Sequence, residues 1–487
     1  MTPLKDILYK VTINAVVGST NIVIDEINYD SRKASEHDVF VAISGVSVDG
    51  HNYIDKAIDN GSVAVVCEAL PENLRDGITY VEVEDSSSAL AFMAANYYEL
   101  PSENLRLVGV TGTNGKTTVA TLLYQLFKKA GYKVGLLSTV KIMVDDKAYD
   151  ATHTTPDPLV INSHLKQMND EGVEFCFMEV SSHGIHQNRI EGLYFEGGIF
   201  TNLSHDHLDY HASFAEYRDV KKRFFDQLSA KAFALVNIDD KNGLVMLQNT
   251  AARKYTYALK TYADYKAQIL ENQFGGLLLK INENDLWSKL VGHFNAYNLA
   301  AIYATAQLLG LEKVECLRLM SELESVSGRF QYIVSDENIT AIVDYAHTPD
   351  ALKNVLETIN SIRTKNEELI TVVGCGGDRD KTKRPKMGHI ASELSTKVIF
   401  TSDNPRSEEP QSIIDDIEQG VEPINFKKVV SILDRKQAIK AACQMANAND
   451  IILIAGKGHE TYQEIKGERF DFDDYKIVQE FLTQLQK

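Results

Sequence analysis

Residues 105–131, LRLVGVTGTNGKTTVATLLYQLFKKAG, constrain the fold more than any other stretch of the chain. LRLVGVTG is a continuous apolar run and reads as a strand buried on both faces. A glycine-rich turn follows, and TTVATLLYQLFKKA carries helical periodicity until Gly131 stops it. A buried strand feeding a helix through such a turn belongs to a sheet covered by helices on both faces. The strict phosphate-loop pattern GxxxxGK[ST], aligned on Gly115, Lys116 and Thr117, asks for glycine at 110, where Val110 stands. The physical parts are present all the same. Gly112 and Gly115 let the amides of the turn, which also holds Thr113 and Asn114, face phosphate oxygens. Lys116 is placed to bridge β- and γ-phosphates and Thr117 to bind Mg²⁺. Thr118 continues the first turn of a helix whose N-terminus favours anions. A nucleotide loop of this kind serves switches, motors and synthetases alike.

The rest of the chain has room for several units, since 487 residues at roughly 100–200 per domain give two to four. Residues 1–100 alternate apolar strands (39–45, 62–68) with helical stretches (53–61, 87–100), and Pro101 marks a boundary. Residues 101–327 hold further strand patterns at 133–139, 173–182, 197–203 and 232–240, then a short hairpin at 274–284 and a helix at 294–310. Residues 328–487 repeat the α/β rhythm. The expectation is three α/β domains: a small N-terminal one, a central phosphate-loop domain with a parallel sheet, and a C-terminal Rossmann-like one. Five scattered cysteines without a CxxC pair suit a reducing compartment. The N-terminus lacks a signal-peptide core, and no apolar run reaches about 18 residues, so a membrane span is not expected. With 50 basic and 68 acidic residues, the net charge of -18 argues against broad nucleic-acid binding, yet leaves room for a locally basic site.

Several segments, in this order, resemble the Mur ligase family: TGTNGKTT (111–118), MEVSSHGIHQNRI (178–190), TNLSHDHLDYH (201–211), GHFNAYN (292–298), SGRF (327–330) and VDYAHTPDAL (343–352). GCGGDRDKTKRPKMG (374–388), SDNPR (402–406) and AGKGHETYQ (455–463) bring the resemblance closest to its tripeptide-synthetase branch. It covers nearly the whole chain and implies a cytoplasmic, monomeric acid–amino-acid ligase of peptidoglycan synthesis. Such an enzyme would use ATP and Mg²⁺ to join meso-2,6-diaminopimelate to UDP-N-acetylmuramoyl-L-alanyl-D-glutamate.

Residue by residue, the resemblance carries the following roles. Glu179, at the end of an apolar strand, reads as a Mg²⁺ ligand with Thr117. The cluster His205, Asp206, His207, Asp209 and His211 would by itself also suit zinc; the resemblance gives His207 to a second Mg²⁺. Lys221, by composition an ordinary helix lysine, matches the lysine that CO₂ carbamylates, and the count from DHLDYH selects it over Lys222. Asn295 is assigned to adenine, Arg329 to phosphate and Asp344 to the ribose. Asn295 and Asn298 also read as caps at a helix start. Tyr29, Ser31, Val46, Ser47 and Val48 are assigned to the uridine diphosphate end of the precursor. His153, Thr154, Thr155, Ser181, Gln187 and Arg189 are assigned to its muramoyl-peptide arm, and His153 stands where close relatives have asparagine. Arg379, Asp403, Asn404, Pro405, Arg406, Gly456 and Glu460 map to the amino-acid pocket. The guanidinium of Arg406 suits the distal carboxylate that distinguishes diaminopimelate from lysine. Three alternatives stand beside this reading: the same ligation with L-lysine, a ligase like folylpolyglutamate synthetase, and a nucleotide-gated switch.

Overall fold

The apolar run before the glycine turn forms the strand Arg106–Thr111, with Leu107, Val108, Val110 and Thr111 fully buried. In the computed structural model, which describes residues 1–45, 48–204 and 210–487, this strand lies inside an eleven-stranded sheet. The order across that sheet is 147–150, 141–144, 134–137, 175–179, 106–111, 197–200, 233–237, 253–258, 265–273, 276–281 and 284–288. From 134–137 through 265–273 every pairing is parallel.

Both edges depart from the parallel rhythm. Lys141–Val144 and Lys147–Asp150 add an antiparallel hairpin on one side. On the other, the hairpin expected at 274–284 is part of a three-stranded antiparallel meander over 265–288. These strands follow one another through tight turns with no crossover helix, and such neighbours can only pair antiparallel. Helices Lys116–Lys129 and His293–Leu308 bury one face, through Leu122, Leu126, Phe127 and Leu299. Helices Pro158–Asp170 and Phe214–Asp226 bury the other, through Leu165, Met168, Phe224 and Phe225.

A five-stranded sheet precedes it, in the order 13–17, 79–83, 64–67, 39–41 and 27–28. Helix Ser86–Tyr97 packs Leu90 and Met93 against it. A six-stranded sheet follows, in the order 331–334, 340–344, 451–455, 369–373, 397–400 and 429–431. Its late strand Ile451–Ala455 is inserted between two earlier ones and pairs in parallel with both. The loops leaving the carboxyl ends of these strands therefore gather in one crevice, where open α/β sheets bind ligands. Among the described residues no helix is long and apolar enough to cross a membrane.

Candidate active site

The phosphate loop begins later than the strict pattern requires. Val110 is still within the strand, paired with Glu179 on one side and Ile199 on the other, so a valine fits where a glycine was asked for. Gly112 has φ +147°, and a Cβ there would lie 2.0 Å from the Thr201 hydroxyl. Gly115, at φ +87°, heads the helix; a Cβ on it would come 2.7 Å from Asn298 Oδ1. The loop is tied to the segment after Gly197–Phe200. Thr113 N donates to Asn202 O at 2.8 Å, Asn114 N to Asn202 Oδ1 at 3.0 Å, and Thr201 Oγ1 to Asn114 O at 2.6 Å. Lys116 Nζ donates to the carbonyls of Gly112 and Thr113, both at 2.9 Å. Thr118 is buried in the first helical turn.

Lys221 is not an exposed helix lysine. It is 1% exposed, its Nζ donates to Gly112 O at 3.0 Å, and it lies 4.8 Å from the Tyr217 ring centroid. Lys222 instead pairs with Asp226 one turn on. Helical phase makes the difference: Tyr217, Lys221, Phe224 and Phe225 share the face turned to the sheet. Glu179 is fully buried; its Oε2 accepts from Thr117 Oγ1 at 2.9 Å and its Oε1 from Thr139 N at 2.7 Å. His207, Val46 and Ser47 lie outside the described residues. Among the described residues no cluster of three His, Cys, Asp or Glu side chains suits a metal.

The segment 153–155 and the short helix Ser182–His186 form one hydrogen-bonded surface beside Glu179. Thr155 Oγ1 donates to Glu179 O and accepts from Ser181 N, both at 2.9 Å, while the Ser181 hydroxyl caps the helix. Arg189 reaches Thr155 O at 2.6 Å and Gln187 Oε1 at 2.6 Å. Thr154 accepts from the Thr139 hydroxyl at 3.0 Å. His153 bonds Thr152, and burial together with the Arg189 charge lowers its pKa. Tyr29 is exposed over much of its surface, but partial burial and the Asp157 carboxylate still push its phenol up to about 12, with Arg189 opposing. Nearby the N-terminal unit meets the central one, where Asn188 donates to Asp85 at 2.9 Å. Ser31 is buried and its carbonyl accepts from Asn60, whereas Val48 is exposed.

Asn295 and Asn298 do not cap their helix. Gly292 precedes it, and both asparagines are buried inside it: Asn295 donates to Val291 O at 2.8 Å and accepts from Asn298 at 3.0 Å. Across the junction, Arg329 donates to Thr117 Oγ1 at 3.2 Å and stacks 4.5 Å from the Tyr345 ring centroid. Asp344 accepts from Phe330 N at 2.7 Å, and burial pushes its carboxyl up to about 6 against the pull of Arg329. Gly328, at φ +65°, lets SGRF press on the GKGHE turn; a Cβ there would lie 2.0 Å from His459 N. The His459 ring lies 5.0 Å from Tyr345, and burial, Arg329 and His347 hold its imidazole down at about 3.

The crevice of the third sheet collects most of the residues assigned to the amino acid. Asp403, Asn404 and Pro405 are buried, and Asn404 donates to Glu460 at 2.8 Å. Gly456 has φ +120° with Asp403 Oδ2 where a Cβ would press. Arg406 donates to Gly377 O at 2.8 Å and flanks Gly376 together with Arg379, whose side chain is exposed. Three groups here have no local sequence signal. Lys457 is fully buried among Asp403, Asn404 and Glu460. Arg384, also fully buried, holds Glu408 and Asp416 and so ties the 376–382 loop to the 403–409 loop. The hairpin 462–471 clamps the Arg406 backbone on both sides.

Models described as the Mur ligase middle domain, the Mur ligase glutamate ligase domain, and the Mur ligase family catalytic domain match residues 110–306, 328–458 and 23–98. Over 485 residues the chain is 54% identical to a UDP-N-acetylmuramoyl-L-alanyl-D-glutamate--2,6-diaminopimelate ligase of Cytophaga hutchinsonii, covering 99% of this chain and 100% of that one. The chain belongs to the Mur ligase family. A solved structure of a diaminopimelate ligase superposes on this Mur ligase with a TM-score of 0.70 at 31% identity, over 100% and 99% of the two chains. A MurF ligase from Thermotoga maritima in complex with ADP gives 0.62 at 19% identity over 95% and 98%, a likeness of fold alone. In this Mur ligase the oxygen donors of Thr117 and Glu179 are already in contact at the loop, a donor set that fits a hard cation such as Mg²⁺.

Proposed function

We propose that this Mur ligase uses ATP to join meso-2,6-diaminopimelate to UDP-N-acetylmuramoyl-L-alanyl-D-glutamate, as a cytoplasmic, monomeric enzyme. One observation carries the reading: the SGRF crossing joins the two half-sites. Arg329 bonds Thr117 on the phosphate side, while neighbouring Gly328 packs on the GKGHE turn that supplies Glu460 on the other. Full-length identity with diaminopimelate ligases supports the choice of substrates.

The reaction balances as two steps. The terminal carboxylate of the precursor attacks the γ-phosphorus of ATP in line, giving an acyl phosphate and ADP. The amine of the amino acid then attacks the acyl carbon, loses a proton, and inorganic phosphate leaves as the amide forms. Gly112 to Gly115 cradle the phosphates, and Lys116 exchanges its two carbonyl partners for phosphate oxygens. Arg329 adds a second positive charge from across the junction, and Asn295 and Asp344 take adenine and ribose. Thr117, Glu179, His207 and a carbamylated Lys221 would hold Mg²⁺. Bound there, the ion would offset the charge of the converging anions. Tyr29, Ser31, Arg189 and Gln187 bind and orient the precursor. Asp403, Asn404, Arg406 and Glu460 receive the amino acid. Closing the two halves excludes water from a hydrolysable acyl phosphate.

The test is ADP release with and without the dipeptide precursor across a panel of amino acids, with mass detection of product. Release requiring both precursor and diaminopimelate is expected. Preference for lysine selects the lysine-adding alternative, and slow release indifferent to both substrates selects a switch.

A further inference from the structure

Lys457 stands between two glycines of left-handed backbone, Gly456 at φ +120° and Gly458 at φ +53°. Its side chain is 0% exposed. A buried ammonium persists only when its donors are met and its charge is balanced. Nζ donates to Asn404 Oδ1 at 2.8 Å and lies 3.3 Å from Glu460 Oε2 and 3.5 Å from Asp403 Oδ1. The same Asn404 donates its amide to Glu460 and accepts from Glu464 N, so one lysine organises two strand-end loops and the start of the hairpin. Behind it, Arg435 pairs with Asp474, donates to Ala455 O and adds its charge near Asp403.

We infer that Lys457 is a positioning residue that sets the charge and shape of the ammonium-binding end of the amino-acid pocket. This rests on the function proposed above. Asp403 and Glu460 side by side carry two negative charges, more than one incoming ammonium balances. With Lys457 between them, one net negative charge remains to face the substrate. The lysine acts through its neighbours and stays behind them.

The protonation of the two carboxylates agrees with this arrangement. Burial raises both, but Lys457, Arg435 and His347 hold Asp403 below its usual range, whereas proximity to Asp403 raises Glu460 further. Removing the lysine charge pushes Glu460 higher still. The acid limb of amino-acid use then moves to higher pH, a change that a mere packing defect does not produce.

Lys457→Gln keeps a donor for Asn404 Oδ1 and removes the charge. Steady-state ADP release at saturating precursor and ATP is expected to show KM for diaminopimelate raised at least roughly tenfold, KM for ATP and precursor unchanged, and the acid limb of kcat/KM displaced upward. The double variant Lys457→Gln/Glu460→Gln restores one net negative charge. If Lys457 acts through its neighbours, its loss should cost little more once residue 460 is uncharged: the double variant should match Glu460→Gln alone in KM and show no displaced limb. Should the single variant not fold, the double should fold and its KM is compared with that of Glu460→Gln. A double variant whose KM shows the two single effects multiplied, or a Lys457→Gln enzyme with native amino-acid KM and pH profile, overturns the role of Lys457. Native protein that releases no ADP in response to diaminopimelate overturns the proposed function instead.

Discussion

The phosphate loop and the third-sheet crevice hold their cations in different ways. At the loop, Lys116 and Lys221 both donate to the Gly112 carbonyl. In the crevice, Lys457, Arg384 and Arg435 are set against carboxylates. Charge-assisted bonds are roughly twice as strong as those to neutral partners. A triphosphate is therefore a stronger partner for the loop lysines than these carbonyls are, whereas the crevice cations already meet carboxylates. The amino-acid half thus has its buried charges paired before any ligand arrives.

The largest effect expected from that contrast is at the loop. Lys116→Ala removes the donations to the Gly112 and Thr113 carbonyls and should leave the fold intact, which the thermal midpoint checks. Turnover should fall by about 10²–10³-fold, as for loss of one transition-state donor. Lys221→Ala should fall comparably, and added short carboxylic acids should restore part of the rate if a carbamate acts there. Near-native phosphate release in Lys116→Ala would remove the contrast. Absence of both rescue and a carbamate resonance from isotopically labelled bicarbonate would leave Lys221 a plain ammonium.

In the crevice the sharper test is Arg406, a non-glycine residue at φ +50°. Its N–H donates to Glu464 O at 3.1 Å and its carbonyl accepts from Lys466 N at 2.7 Å, so the hairpin imposes this backbone. The left-handed region costs a side-chain-bearing residue about 1–2 kcal/mol. Arg406→Ala keeps that strain and Arg406→Gly relieves it. Both should lower kcat/KM for diaminopimelate relative to lysine by about ten- to a hundredfold, from loss of ~1.5–3 kcal/mol of charged hydrogen bonding. The glycine variant should resist denaturant better than the alanine variant by about 1 kcal/mol. An unchanged selectivity ratio in both would take the distal carboxylate away from Arg406.

How legible each half is in the sequence follows from the same difference. The loop is one contiguous strand, turn and helix, so its periodicity and glycines report it directly. Lys221 was equally accessible through its phase with Tyr217 and Phe225. The crevice draws on loops 376–382, 403–409 and 456–461, and its organising charges pair across long separations: Lys457 with Asp403, Arg384 with Glu408, Arg435 with Asp474. A lysine inside GKGHE looks solvated until its partners from 403 and 404 are brought to it. At the sheet edges the hairpin at 274–284 was legible, but its extension to 265–288 and the hairpin at 141–150 were not, because short alternating strands carry no crossover signal and pairing rather than pattern fixes their direction.

The smallest expected effect concerns the junction between the halves. Asp344 is buried and its carboxyl sits at about 6 rather than the ordinary 3.8. A folded-state value above the unfolded one means that folding favours the protonated form. The associated stability is complete below about 3.8 and is lost as pH rises through about 6. At neutral pH the protein therefore carries a buried carboxylate at a cost of about 1–3 kcal/mol. Asp344→Asn keeps an acceptor for Phe330 N–H and removes the charge. It should be the more stable protein at pH 7.5, with the difference closing toward pH 4 as the native carboxyl becomes neutral too. Its KM for ATP should rise about tenfold, the difference between a charged and a neutral acceptor for ribose hydroxyls. Chemical denaturation at the two pH values and the ATP titration are read together. A stability gap independent of pH would mean that burial does not raise Asp344, and an unchanged ATP KM would move the ribose elsewhere. If both results come out as expected, the junction beside Arg329 holds a destabilising charge in readiness for the ribose.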